Sequence, residues 1–149
     1  MKLIIAGSRD IAQAWIRSKY AGRPISSMVE IAMEELGVQR PDRVICGCAL
    51  GVDVIGYMWA RAHHVPVDFY PGWESQWEWA AKRVDISKEL LKSPPVGVAI
   101  QRCGFVRNGW MADDGDALLS IWDGSSRGTL DMRAKMGDKL IYPFDVVPE

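Results

Sequence analysis

The residues with the clearest chemical purpose lie at positions 121–132, Ile-Trp-Asp-Gly-Ser-Ser-Arg-Gly-Thr-Leu-Asp-Met. An apolar run, Ala117 to Trp122, stops at two glycines, two serines, an arginine and a threonine, and a helical pattern follows. The first turn of a helix leaves N–H groups unpaired and carries partial positive charge. Such a turn attracts anions, phosphate above all. Glycine lets an oxygen approach the backbone, hydroxyls add donors, and a guanidinium offers a fork matched to phosphate. On this reading Gly124, Ser125, Ser126, Gly128 and Thr129 form a cradle and Arg127 is its clamp. The plainer reading is an ordinary strand-to-helix turn with Ser126 as N-cap.

Two other turns have the same character, Gly7-Ser8-Arg9 and Gly47-Cys48-Ala49-Leu50-Gly51. Three such turns on one edge of a sheet favour a ligand site over coincidence. None is a Walker loop and none is a G-x-G-x-x-G fingerprint. Asp53, two residues after Gly51, suits either a sugar hydroxyl or base role, or simple complementing of a helix dipole. Glu74 is a further candidate carboxylate, whereas Glu78 reads as the capping partner of Ser75. Arg107-Asn108 pairs a phosphate-binding side chain with one suited to a base edge, although a solvated helix face is the plainer reading. Of seven tryptophans, Trp73, Trp77 and Trp110 are the candidates for stacking on a flat ligand, and Trp59 and Trp79 for the core.

The elements that must position these residues follow from pattern. Lys2–Ala6, Arg43–Cys46, Val65–Tyr70, Ala117–Trp122 and Lys139–Phe144 read as strands. Val96–Ile100 is a candidate short extra strand. Helices are expected from Asp10 to Arg17, from a Ser27/Glu30 capping box to Gly37, and from Val52 to His63. Others are expected from a Ser75/Glu78 box to about Leu91, from Phe105 to Ala112, and over 128–136. Alternation of strand and helix predicts an α/β fold: a Rossmann-like three-layer domain over 1–149, with a mostly parallel sheet of about five strands and helices on both faces. Ligands in such sheets bind beyond the carboxyl ends of the strands, where strand order reverses.

The bulk figures exclude several classes. The 149 residues carry a net charge of −1, so no basic field draws the chain to nucleic acid. No apolar run reaches membrane-spanning length, and the short apolar N-terminus reads as a strand, which predicts a cytoplasmic protein. Cys46, Cys48 and Cys103 are odd in number, and C-x-C is poor zinc spacing. They read as buried thiols, with no metal site and no cofactor expected.

Taken in order, "IIAGSRD", "CGCALGVDVIGYMWA", "VDFYPGW" and "VRNGWMADDGDALLSIWDGSSRGTLDM" resemble the SLOG superfamily of Rossmann-like domains, closest to its small branch of YspA-like (YpsA-related) proteins of unknown function. The resemblance runs from about Leu3 to about Ile141. It implies a pocket for a nucleotide or ADP-ribose-like molecule, built from Gly7, Ser8, Arg9, Gly47, Gly51, Asp53, Arg107, Asn108, Gly124, Ser126, Arg127, Gly128 and Thr129. Two departures matter. Leu50 stands where the YspA-like proteins usually carry arginine. Met132 stands where the related cytokinin-activating phosphoribohydrolases carry a glutamate, and Asp131, one residue early on a helix, points about 100° away.

The expected function is binding of a nucleotide-derived ligand, a signalling nucleotide included, as a sensor or sequestering protein, with Trp73 in an aromatic lid over the base. The alternative is a nucleotide N-glycosidase using Asp53, Glu74 or Asp131. Nucleic-acid binding, by analogy with DNA-processing relatives, is a weaker third. Pairing into a homodimer or higher homo-oligomer is expected, with Met28, Met33 and Met58 as candidate interface residues.

Overall fold

The computed structural model describes residues 1–148. Five strands form one sheet: β1 (Lys2–Gly7), β2 (Arg43–Cys46), β3 (Val67–Phe69), β4 (Ala117–Trp122) and β5 (Leu140–Asp145). Every pairing is parallel and the order is β3-β2-β1-β4-β5. The fold is therefore the expected three-layer, Rossmann-like α/β arrangement. Strand order reverses between β1 and β4, where a crevice must open at the carboxyl edge because the connections leave in opposite directions.

The two faces of the sheet are covered by different helices. α1 (Ile11–Ile16), α2 (Met28–Leu36) and α3 (Val52–Ala62) pack with Leu3, Ile5, Val44, Leu119 and Ile121. α4 (Glu74–Ala81) joins that side through Ala80 and Trp79. Ile4, Ala6, Ile45 and Leu118 face the other way, against Met111 and Ala112 of α5 (Ile100–Asp114) and Met132 of α6 (Arg127–Lys135). Alternate residues of β1 thus serve opposite cores, as a strand buried on both faces requires. Pro66 precedes β3 and Pro143 lies in β5, both at sheet edges where a missing donor is tolerated.

Several expectations need correction. Ser27 does not cap α2: it ends a short 3₁₀ turn (Ile25–Ser27), and its hydroxyl donates to the Pro24 carbonyl at 2.6 Å. Asp10 makes no side-chain cap on α1. Ser75 and Glu78 form no capping box, because α4 starts one residue earlier, at Glu74, and ends at Ala81 rather than near Leu91. No strand forms at 96–100; Gly97 there has φ +70°, and Ile100 already begins α5, which is 15 residues long. Met28 and Met33 are buried in the core, leaving only Met58 of the three proposed interface methionines exposed.

Candidate functional site

The turn that ends β4 spends much of its unusual composition on its own geometry. The Asp123 carboxylate accepts N–H bonds from Ser125 and Ser126, each at 2.9 Å. Burial raises the Asp123 pKa, but these backbone donors outweigh it and hold the group below the usual carboxylate range. Gly124 sits at φ +91°, a left-handed conformation that glycine alone adopts without strain. Ser126 is the N-cap of α6, its Oγ accepting from Thr129 N–H at 3.4 Å. Gly124 and Ser125 line none of the three crevice cavities, and the Arg127 side chain is exposed and lines none of them either. The proposed clamp is therefore absent from the site in this conformation, while Ser126, Gly128 and Thr129 do reach it.

These three line a cavity of about 180 Å³ at the crevice between β1 and β4. Gly7 and Arg9 contribute from the β1 turn, Ala49 and Asp53 from the β2 turn, Arg107 and Asn108 from α5, and Met132 from α6. A second cavity of about 280 Å³ shares Arg9, Ala49, Arg107, Asn108 and Gly128 with the first and extends to Trp73, Ile100 and Phe105. The crevice thus has a polar inner end and a flatter apolar outer end. Arg9 lies over the Trp73 ring, 5.4 Å from its centroid, so these two exposed-side residues form one wall.

Asp53 is the one carboxylate lining the inner cavity among the described residues. It belongs to the first turn of α3, is 5% exposed, and accepts from Ala49 N–H at 3.1 Å. Burial pushes its pKa up to about 6, against the opposing pull of Arg107, the Ala49 and Gly7 amides, and Arg9. Asp131, the alternative carboxylate, is held by Lys135 Nζ at 2.8 Å and Asn108 Nδ2 at 3.0 Å, while Met132 faces the cavity. Glu74 is exposed at the start of α4 and lines no cavity.

Arg107 and Asn108 are brought to the cavity, with Arg107 Nη1 and Nε and the Asn108 amide already hydrogen-bonded within the protein. Arg107 Nη1 donates to the Gly47 carbonyl, to Tyr70 O at 3.2 Å and to Gln76 Oε1 at 3.1 Å; its Nε donates to Asn108 Oδ1 at 3.1 Å. Gln76 Oε1 also accepts from Gly72 N–H at 2.8 Å. A buried arginine and a buried glutamine thereby clasp the turns after β2 and β3 to α5. Nothing local in the sequence marks Gln76, since its arginine partner is 31 residues away and its helix neighbours carry no matching pattern.

The remaining expected residues serve the scaffold. Ser8 is fully buried; its Oγ accepts from Asp123 N–H at 3.0 Å and so ties the β1 turn to the β4 turn. Gly47 packs behind Asp53, where a Cβ would sit 2.6 Å from Oδ2. Gly51 has φ +85° and abuts the backbone of Ser8 and Arg9, so a side chain is excluded there on both counts. Trp59 lies in the core and Trp79 packs against it, as their pattern implied. Trp77 and Trp110 line none of the cavities; Trp110 packs on the second core beneath Lys92 Nζ. Among the described residues there is no group of three or more His, Cys, Asp or Glu that could hold a metal, and no helix is long and apolar enough to cross a membrane.

Fold and crevice together define a Rossmann-like α/β domain with its cleft at the topological switch point. In comparison with known proteins, no family model and no curated protein matches the chain.

Proposed function

We propose that this chain binds a nucleotide-derived small molecule in the β1/β4 crevice, as a sensor or sequestering module, consistent with its sequence resemblance to SLOG domains. The observation that carries the proposal is the gathering of three complementary features in one cleft. The N-terminal turn of α6 and Arg9 suit a phosphate, Asp53 suits a sugar hydroxyl, and Trp73 under Arg9 suits a base. Arg9, exposed and lining both crevice cavities, supplies positive charge. Arg107 helps set the shape of the cleft, because three carbonyl oxygens hold its Nη1, and its Nη2 adds donors at the lining.

One observation favours a second reading, cleavage of an N-glycosidic bond. A buried carboxyl group with a pKa of about 6 at the floor of a cleft is suited to acid–base work or to stabilising an oxocarbenium-like transition state. A single experiment separates the two. Protein is incubated with mononucleotides, NAD, ADP-ribose and cyclic dinucleotides, thermal shifts are recorded, and the same samples are analysed by mass spectrometry. A ligand at a hundred times its Kd adds about 2.7 kcal/mol of stability. A shift with intact ligand supports the binding module. A shift with free base and sugar phosphate, abolished by Asp53→Asn, supports the hydrolase. No shift with any compound overturns the binding proposal for these ligand classes.

A further inference from the structure

The β2–α3 turn holds a pair of thiols whose placement goes beyond any nucleotide-binding role. Cys46 ends β2 and Cys48 follows one residue later, both buried and both free thiols. Cys48 has φ +66°, one of two non-glycine residues in the left-handed region among the described residues. That conformation is costly for a residue other than glycine, asparagine or aspartate. Here it folds the Cys48 side chain back on the strand. Its N–H donates to Cys46 Sγ at 3.4 Å and its Sγ donates to Cys46 O at 3.5 Å. The Cys48 side chain and burial raise the Cys46 thiol well above its ordinary pKa. Cys48 also lines a cavity of about 270 Å³ with Arg9, Trp73 and Trp79, which gives a small solute a route to this residue.

We infer that Cys46 and Cys48 form a reversible thiol–disulfide modification site, oxidised by a small peroxide that reaches Cys48 through this cavity. Cys48 sulfur attacks the O–O bond, becomes a sulfenic acid and releases one water. Cys46 sulfur then attacks Cys48 sulfur while its thiol proton passes to the departing hydroxide, so the S–O bond breaks and a second water leaves. Two thiol hydrogens and two electrons pass to the peroxide, and one S–S bond forms. The ring closes over a single residue, which strains it and makes the disulfide easy to reduce again, the property of regulatory rather than structural bridges. Oxidation also reaches the cleft. Cys46 Sγ loses its 3.5 Å contact with the Asp53 carbonyl, and Ala49, whose N–H holds the Asp53 carboxylate, is adjacent to the moving residue.

The test uses the full chain and hydrogen peroxide, and needs no ligand, so it stands apart from the nucleotide proposal. After brief treatment at constant circular dichroism, the protein is denatured and alkylated, and its thiols are counted by intact-mass and peptide analysis. The expected result is loss of two of the three alkylatable thiols, with Cys46 and Cys48 linked within one peptide, Cys103 still alkylated, and full recovery with dithiothreitol. Cys48→Gly, which places glycine at a left-handed position and so retains the fold, should keep both of its remaining thiols under the same treatment. Three alkylatable thiols after treatment, consumption of Cys103, or Cys48 driven to sulfinic acid with Cys46 still free would each overturn the inference.

Discussion

At the scale of the residue, Asp53 and Arg107 govern the cleft together. The carboxyl group is raised from 3.8 to about 6, chiefly by burial. An acid whose folded pKa exceeds its unfolded value costs nothing below the unfolded pKa. The cost grows as pH rises from about 4 to about 6, because the unfolded chain releases the proton first, and it is constant above that range. The shift corresponds to about 3 kcal/mol at neutral pH. Asp53→Asn, which mimics the protonated form, should therefore gain up to about this much at pH 7.5 and almost nothing at pH 4, measured by urea unfolding at both values. Arg107 is the strongest force holding the pKa down. Arg107→Met should move the Asp53 titration above 6, observed by NMR of the carboxyl carbon. It should also cost about 3 kcal/mol of stability, since the Gly47 and Tyr70 carbonyls and the Gln76 amide oxygen lose their shared donor.

At the scale of the element, α6 depends on its cap. Ser126→Ala should cost about 1 kcal/mol and Ser126→Gly only a few tenths, read from the shift in urea midpoint at unchanged slope. This cap was legible in the sequence because an N-cap acts within four residues. β1, β2 and β4 were legible for a similar reason: the run of buried residues is itself the signal. What could not be read is governed by distant partners. The helix expected to run to Leu91 stops at Ala81 because Glu89 is turned inward to accept from Val67 N–H, Asp85 N–H and Arg61. These partners hold it below the usual carboxylate range despite burial, which raises it. α5 was expected only over Phe105–Ala112 because Val96–Ile100 reads as a strand and Gly104 weakens local helix propensity, and packing against α6 overrides this. In the site itself Ser126 was legible as a cap because capping is local. The direction of the Arg127 side chain was not legible from its neighbours, and Gln76 carried no signal because its role is set by Arg107.

At the scale of the whole molecule, one sheet with one helix layer on each face implies one cooperative unit. Calorimetry should show a single unfolding transition with an enthalpy of about 100 kcal/mol at its midpoint, from the usual 0.7 kcal/mol per residue. Two resolved transitions would show that the halves of the sheet melt separately. The strand order makes that a real question. β1, β2 and β3 come from residues 2–69 and meet β4 and β5, from residues 117–145, only along β1, where Leu3 pairs with Ala117. The cleft lies over that seam. Any molecule held there touches both halves of the chain at once and acts as a staple between them. A chain cut at the exposed Val96-Gly97 before α5 would leave two fragments with complementary open strand edges, and occupancy of the cleft would decide how tightly they stay together.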